Sequence, residues 1–122
     1  MKSKPVNLAE QLARFEERYT PHTVAEFNGH QVMLAKLEGE FVWHSHDDTD
    51  DLFLVLQGEL EIRLREGDEV RSVTVRAGEL FIVPQGVPHQ PVARNLVHCL
   101  LLEREGTPNT GDPATATPRI DL

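Results

Sequence analysis

Two histidines separated by a single residue, His44 and His46, are the first side chains in this sequence that could do chemistry together. The residues around them alternate as in a β-strand, where side chains two apart share a face. Both imidazoles would then point the same way and could hold one metal ion. The rival interpretation is a polar turn that leads into Asp47 and Asp48. The pair by itself leaves both interpretations open.

A carboxylate and a third imidazole could complete such a site. Asp51 shares strand parity with the apolar residues Phe53 and Val55, so it would face inward and offer a hard oxygen ligand. His89 follows residues 84–88, whose prolines and glycine would fix the chain locally. Three imidazoles and one carboxylate suit Fe(II), Mn(II), Ni(II), Zn(II) or Cu(II), and the ligands alone do not choose among them.

The other three histidines are interpreted as structural or surface residues. His22 follows a proline at a strand start, and His30 flanks the hairpin turn predicted at Asn28-Gly29, where both residues tolerate positive φ. His98 lies on the last predicted strand and is the one of the three that could line a cavity.

The elements that must position these residues are one short helix and many short strands. Asn7 and Glu10 form a capping-box pattern, after which Leu8, Leu12 and Phe15 fall on one helical face. From residue 24 the apolar period is two, which predicts eight or nine strands. The clearest are 24–27, 32–37, 41–46, 52–56, 60–64, 70–75, 80–83 and 96–103. No helical crossovers separate them, so the pattern indicates a sandwich, barrel or jelly roll.

Composition limits the compartment and the partners. A chain of 122 residues is enough for one domain, and its single cysteine, Cys99, cannot form an internal disulfide. The net charge of −8 opposes binding to nucleic acid or anionic membranes. No stretch resembles a signal peptide or a membrane span. These features predict a cytoplasmic protein without a nucleic-acid or membrane partner.

Taken together, the histidines, Asp51 and the glycines around them resemble the two sequence motifs of the cupin family. Residues 39–58 follow the first motif, G-x5-H-x-H-x3/4-E-x6-G, and residues 78–89 follow the second, G-x5-P-x-G-x2-H-x3-N, through its histidine. The resemblance covers residues 30–102. It departs at Gly39, which is one residue closer to the first histidine, at Ala93 in place of Asn, and at Asp51 in place of Glu.

The resemblance implies an all-β double-stranded β-helix, or jelly roll, here with a short N-terminal helix. It also implies one divalent metal ion held inside one end by His44, His46, His89 and Asp51. Aspartate is shorter than glutamate by one methylene, about 1.5 Å. Three outcomes stay open: the strand shifts inward, a water bridges Asp51 to the metal, or the centre has three histidines and Asp51 is free to serve as a general base.

The chain divides into residues 1–21 as helix and lead-in, 22–104 as the barrel, and 105–122 as a tail rich in Thr, Pro and Gly. We expect Ile120 and Leu122 to anchor this tail on the barrel or on a partner subunit. The apolar residues opposite the histidine face would lie outside the barrel and need cover. They are Phe41, Trp43, Leu52, Leu54 and Leu56. Together with the frequent dimers of the resembled family, they predict a homodimer.

Function is less constrained, because cupins carry many chemistries. The first hypothesis is a metal-dependent enzyme that acts on a small polar metabolite, as an isomerase, dioxygenase, lyase or decarboxylase. The resemblance includes single-domain cupins similar to mannose-6-phosphate isomerase, but Arg94 is the one basic residue adjoining the motifs. The alternative is a non-catalytic cupin that binds or senses a metal or small ligand. A third hypothesis is a metal-free structural cupin.

Overall fold

The computed structural model describes residues 4–122, so residues 1–3 of the expected lead-in lie outside the described part. The described chain forms one helix and eight strands. They are α1 (Leu8–Leu12), β1 (His22–Phe27), β2 (His30–Glu40), β3 (Asp51–Gln57), β4 (Glu59–Glu66), β5 (Glu69–Arg76), β6 (Leu80–Val83), β7 (His89–Arg104) and β8 (Ile120–Asp121).

The long strand β7 joins the two halves of the molecule. It pairs antiparallel with β2 along most of its length, with β4 near its start and with β3 near its end. The strand order is β5-β4-β7-β2-β1-β8, and β3 and β6 attach through the later part of β7. The predicted all-β jelly roll with a short N-terminal helix is confirmed.

Alternation of apolar and polar side chains builds the interior. On β4, Leu60, Ile62 and Leu64 are fully buried, whereas Glu59 and Glu66 are exposed. The inward faces of the other strands contribute the same kind of residue to one cluster. Its buried members also include Met33, Ala35, Leu37, Phe53, Val55, Val75, Val83, Ala93, Val97, Cys99 and Leu101. Because this cluster is closely packed, it holds in place the strands that carry the site.

The segment before the histidines differs from the sequence prediction. A strand over 41–46 is wrong, because β2 ends at Glu40 and the chain then makes only an isolated bridge at His44. The register of β2 against β7 shifts at Gly39, whose φ is +88°. Strict alternation is therefore lost: Phe41, predicted to face outward, lines the internal cavity, and Val42 is exposed.

The helix is shorter than its apolar spacing suggested. The side chain of Asn7 accepts a hydrogen bond from the Glu10 backbone N–H at 3.0 Å, as the capping pattern predicts. The helix ends at Leu12, and Phe15 lies beyond it, buried and stacked on the His22 ring with centroids 3.7 Å apart. No helix within residues 4–122 is long and apolar enough to cross a membrane.

The C-terminal tail returns to the barrel. Strand β8 pairs in parallel with β1, and the backbone N–H groups of Ile120 and Leu122 donate to Pro21 and Thr23, each at 3.0 Å. Leu122 packs with the helix on the outer face, whereas the Ile120 side chain is 41% exposed. Ile120 therefore anchors the tail through its backbone, and Leu122 does so through both its backbone and its side chain.

Candidate metal centre

Backbone pairing brings two of the predicted ligands face to face. The His44 N–H donates to the His89 carbonyl at 3.0 Å, and the His89 N–H donates to the His44 carbonyl at 2.8 Å. The two rings lie with centroids 4.3 Å apart, and the His46 ring lies 5.0 Å from that of His44. The fold therefore gathers the three histidines although 42 residues lie between His46 and His89.

Hydrogen bonds orient two of these imidazoles. Nδ1 of His44 lies 2.8 Å from the Val42 carbonyl, and Nδ1 of His89 lies 2.9 Å from the Val87 carbonyl. A carbonyl can only accept, so Nδ1 must carry the proton in both rings. This tautomer leaves the Nε2 lone pairs free, which is the usual arrangement of metal-binding histidines.

Asp51, the first residue of β3, completes a buried cluster. Its Oδ2 lies 3.4 Å from His46 Nε2 and 3.3 Å from His89 Nε2. One donor atom from each of Asp51, His44, His46 and His89 lies within 4.8 Å of the other three. Despite its shorter side chain, the aspartate therefore reaches the ring nitrogens.

These separations fit a shared cation better than direct hydrogen bonds. Distances of 3.3–3.4 Å are long for a hydrogen bond between nitrogen and oxygen. Two donors each about 2.1 Å from one ion would lie roughly 3.0 to 3.4 Å apart. Asp51 Oδ1, His46 Nδ1 and His89 Nε2 are also buried without a hydrogen-bond partner, which is costly unless something satisfies them.

The electrostatics of the cluster favour the protonation states that a metal needs. Burial, reinforced by the neighbouring His89, lowers the pKa of His44 to about 4, so this ring is neutral near pH 7. Burial alone would raise the pKa of Asp51, but its contacts with His46 and His89 outweigh burial and lower the pKa. A neutral imidazole and an ionised carboxylate are the metal-binding forms of these groups.

Two other aspartates of the loop, Asp47 and Asp50, accept hydrogen bonds from the loop that precedes His89. Asp50 Oδ1 accepts from the Gln85 N–H at 2.8 Å, and the Gln85 side chain donates to the Asp47 carbonyl at 2.6 Å. The Gly86 N–H donates to the His46 carbonyl at 2.8 Å. These bonds fasten the loop before His89 to the loop that carries the histidine pair.

A small cavity of about 40 Å³, partly open to solvent, lies against the cluster. Its wall is largely apolar and aromatic, with His44, Asp51 and Glu103 on one side. The remaining lining residues are Tyr19, Pro21, Ala35, Leu37, Phe41, Phe53, Pro91, Leu101 and Asn109. Tyr19 and Phe41, both in the lining, stack with ring centroids 4.6 Å apart and planes 11° from parallel.

Three cavity residues were not identified from the sequence. Tyr19 lies in the lead-in and Asn109 in the tail, and neither segment has a periodic signal that would point to the interior. Glu103 does have one, because it shares strand parity with Cys99 and Leu101. A glutamate on the inward face of an apolar strand was the available clue.

The phenol of Tyr19 offers a spectroscopic test of this cavity wall. Its hydroxyl donates to the Gly39 carbonyl at 2.5 Å, and burial, with a smaller contribution from the charge of Glu40, raises the pKa of Tyr19 to about 12. Tyr19 is the only tyrosine. We expect tyrosinate absorbance to rise near pH 12 in the folded protein and near pH 10 in urea. A folded-state midpoint near pH 10 would show that the phenol is open to water.

The remaining histidines lie away from the cluster, as expected for structural or surface residues. His22 is buried beneath Phe15, with Nδ1 2.7 Å from the Thr20 carbonyl. His30 flanks the hairpin turn and contacts the Asn28 carbonyl through Nδ1 at 3.0 Å. His98 lies beside the helix and Lys36 rather than in the cavity.

Comparison with known proteins identifies the family. A family model described as a cupin domain matches residues 30–103. This chain belongs to the cupin family. The protein YdbB of Bacillus subtilis is 34% identical over 88 residues, which cover 72% of this chain and 75% of YdbB. The crystal structure of a cupin-2 domain protein from Shewanella frigidimarina superposes with a TM-score of 0.77 and 37% identity, covering 82% of this chain and 94% of that one.

A named enzyme is also among the relatives of this cupin. The 3-hydroxyanthranilate 3,4-dioxygenase of Xanthomonas euvesicatoria is 33% identical over 69 residues, which cover 57% of this chain. The match spans only 39% of the dioxygenase. The two proteins therefore share a cupin core, and most of the dioxygenase has no counterpart in the match.

Proposed function

We propose that this cupin binds one divalent metal ion through His44, His46, Asp51 and His89 and acts as an enzyme on a small molecule bound in the adjoining cavity. The observation that carries this proposal is the buried cluster itself. Four donor atoms converge within 4.8 Å, and several of the polar atoms there have no hydrogen-bond partner. In a metal-free structural cupin these atoms would impose an uncompensated desolvation cost.

The four ligands of the centre differ in whether they face the cavity. His46 and His89 are almost fully buried and do not line the cavity, whereas His44 and Asp51 do. A ligand in the cavity would therefore approach the centre over His44 and Asp51. When bound, a divalent metal would supply a Lewis acid that polarises an oxygen atom of the ligand.

The cavity wall selects the class of ligand. Among residues 4–122, its lining includes neither lysine nor arginine, so it offers no direct partner for a phosphate or carboxylate. The stacked Tyr19 and Phe41 and the nearby Phe53 suit a flat, uncharged molecule with a hydroxyl group that can meet the metal. This revises the expectation of a polar metabolite and gives no support to a mannose-6-phosphate isomerase-like activity.

The relatives favour oxygen-dependent chemistry among the classes left open by the sequence. The partial match to a 3-hydroxyanthranilate dioxygenase supports a dioxygenase on a small phenol. It does not extend to that enzyme's own substrate, because the carboxylate of an anthranilate would meet no basic side chain in this cavity. We therefore propose the reaction class and the aromatic, uncharged character of the substrate.

The first test is elemental analysis of protein purified without a metal-affinity tag, followed by oxygen uptake with uncharged dihydroxybenzenes. We expect near-stoichiometric metal and turnover of at least one dihydroxybenzene, with none of mannose 6-phosphate. Metal without turnover would favour the non-catalytic binding or sensing alternative. A protein that neither contains nor takes up Fe, Mn, Ni, Zn or Cu would contradict the proposed metal centre.

We also propose that the protein is a homodimer formed through the outer face of β3 and β6. Leu80 and Ile82 are 59% and 45% exposed, and they pair across the strands with the half-buried Leu54 and Leu52. Among the described strands, β6 pairs only with β3. Trp43 is a weaker candidate than the sequence suggested, because the Arg65 guanidinium lies 5.2 Å from its ring centroid.

An outward charge should separate such a dimer. Ile82→Glu places a carboxylate in the middle of the apolar patch, where pairing with a second copy would bury it unpaired. We expect light scattering to show a shift from dimer to monomer. Val70→Glu, at a position 53% exposed on β5, is the matched control and should stay dimeric. An unchanged dimer mass for Ile82→Glu would remove this face from the interface.

A further inference from the structure

We propose that Glu103 is a fifth donor of the metal centre and that Arg119, from the C-terminal tail, holds it in place. This inference rests on the proposed metal site. It assigns to β7 a carboxylate that the cupin sequence motifs do not include. It also gives the tail a part in building the centre.

The geometry around His46 carries the inference. His46 Nε2 lies 3.4 Å from Asp51 Oδ2 and 3.5 Å from Glu103 Oε2. Both distances are too long for good hydrogen bonds, and one N–H could serve only one of the two oxygens. A cation between the three atoms would bind all of them. Glu103 Oε2 therefore has the same relation to His46 as the oxygen of Asp51.

Burial makes an isolated Glu103 carboxylate expensive. Its side chain is 3% exposed, and that of Asp51 is 5% exposed. Oε2 of Glu103 and Oδ1 of Asp51 are both buried with no hydrogen-bond partner. Two such carboxylates facing one cavity repel each other, and a divalent cation relieves both the repulsion and the missing contacts.

The tail fixes the other end of the Glu103 carboxylate. Arg119 Nη2 lies 3.7 Å from Glu103 Oε1 and donates to the Thr107 carbonyl at 2.6 Å, while Nη1 donates to Gln31. These hydrogen bonds hold Arg119 between β2 and the start of the tail, with its guanidinium beside Oε1 of Glu103. Oε2 of Glu103 is then free to bind the metal. The tail also lies against the histidine loop at Gly111. A Cβ added there would collide with the Ser45 carbonyl oxygen.

A fifth donor changes what the centre should bind. Two carboxylates and three imidazoles form a harder, more negative set than one carboxylate and three imidazoles. Such a set would favour Mn(II) or Fe(II) over softer ions. The second oxygen would reach the centre from β7, the strand that pairs with β3.

The test compares metal binding by the full-length protein and by Glu103→Gln, which keeps the shape of the side chain and removes its charge. Co(II) and Mn(II) are titrated, and the visible absorption of bound Co(II) reports the coordination number. We expect the variant to bind both ions roughly 10- to 100-fold more weakly. We also expect a stronger Co(II) absorption, because fewer donors remain. Glu105→Gln removes an equal charge from an exposed side chain two residues away and should change neither result.

Separate outcomes overturn this inference and the proposed function. Unchanged affinity and an unchanged Co(II) spectrum in Glu103→Gln would remove Glu103 from the centre while leaving the other ligands in place. If that variant is unfolded by circular dichroism, Glu103→Asp, which keeps the charge but withdraws it by one methylene, must show the weaker binding instead. Failure of the unaltered protein to bind either ion would overturn the metal centre itself.

Discussion

Replacing His44 by alanine should abolish most metal binding and leave the barrel folded. The imidazole is one of four converging donors, and losing it should weaken metal binding roughly 100-fold or more, since removing even a supporting residue typically costs 10- to 100-fold. The side chain is half-buried and lies outside the apolar cluster. The bridge to His89 uses backbone atoms, which alanine retains. Calorimetric titration with Mn(II) or Zn(II) measures the loss.

His30→Ala is the matched control for this experiment. It removes an imidazole of the same kind from the hairpin turn, outside the four-residue cluster, where its contact is with the Asn28 carbonyl. The control should bind metal like the unaltered protein, and both variants should keep the circular dichroism of the all-β fold. If His44→Ala retained stoichiometric metal, the ion would be bound elsewhere and the assignment of the centre would be wrong.

Gly58→Ala should cause a large loss of stability, because the added methyl meets both an unfavourable backbone conformation and close neighbours. Gly58 has a φ of +89°, and an added Cβ would lie 2.8 Å from the Leu96 carbonyl oxygen and 3.2 Å from a Val97 methyl. A left-handed conformation costs about 1–2 kcal/mol for a residue with a Cβ. Forcing a methyl against packed atoms costs roughly 1–3 kcal/mol more. We expect the free energy of unfolding, measured in urea, to fall by about 2–5 kcal/mol.

Gly67→Ala separates the two contributions. Gly67 has a φ of +64°, so alanine is strained there too, but no atom lies within 4 Å of the added Cβ. This variant should lose only the conformational part, about 1–2 kcal/mol. Equal losses for the two variants would mean that the backbone near Leu96 yields to the methyl, and that close packing does not explain the glycine at the end of the first cupin motif.

The strand prediction succeeded where one face of a strand is buried and the other is exposed to solvent. Leu60, Ile62 and Leu64 alternate with charged residues, and this pattern fixes both the strand and its orientation in any sheet. The Asn28-Gly29 turn was equally readable, because both residues adopt positive φ, 50° and 76°. The same argument predicted a strand over residues 41–46, and that prediction was wrong. A register shift at Gly39 and bonds to a distant strand replace alternation there.

The sequence by itself determined the cupin family, the jelly-roll fold and the four residues to examine, because motif spacing and strand parity are local properties of the chain. Only the tertiary structure decided which further side chains reach the centre. Glu103 meets His46 because β7 lies beside β3, and Arg119 meets Glu103 because the tail pairs with β1. Strand parity could place Glu103 on an inward face, but it could not show which distant segments Glu103 would meet. Those pairings depend on which apolar faces pack together, and periodicity does not record them.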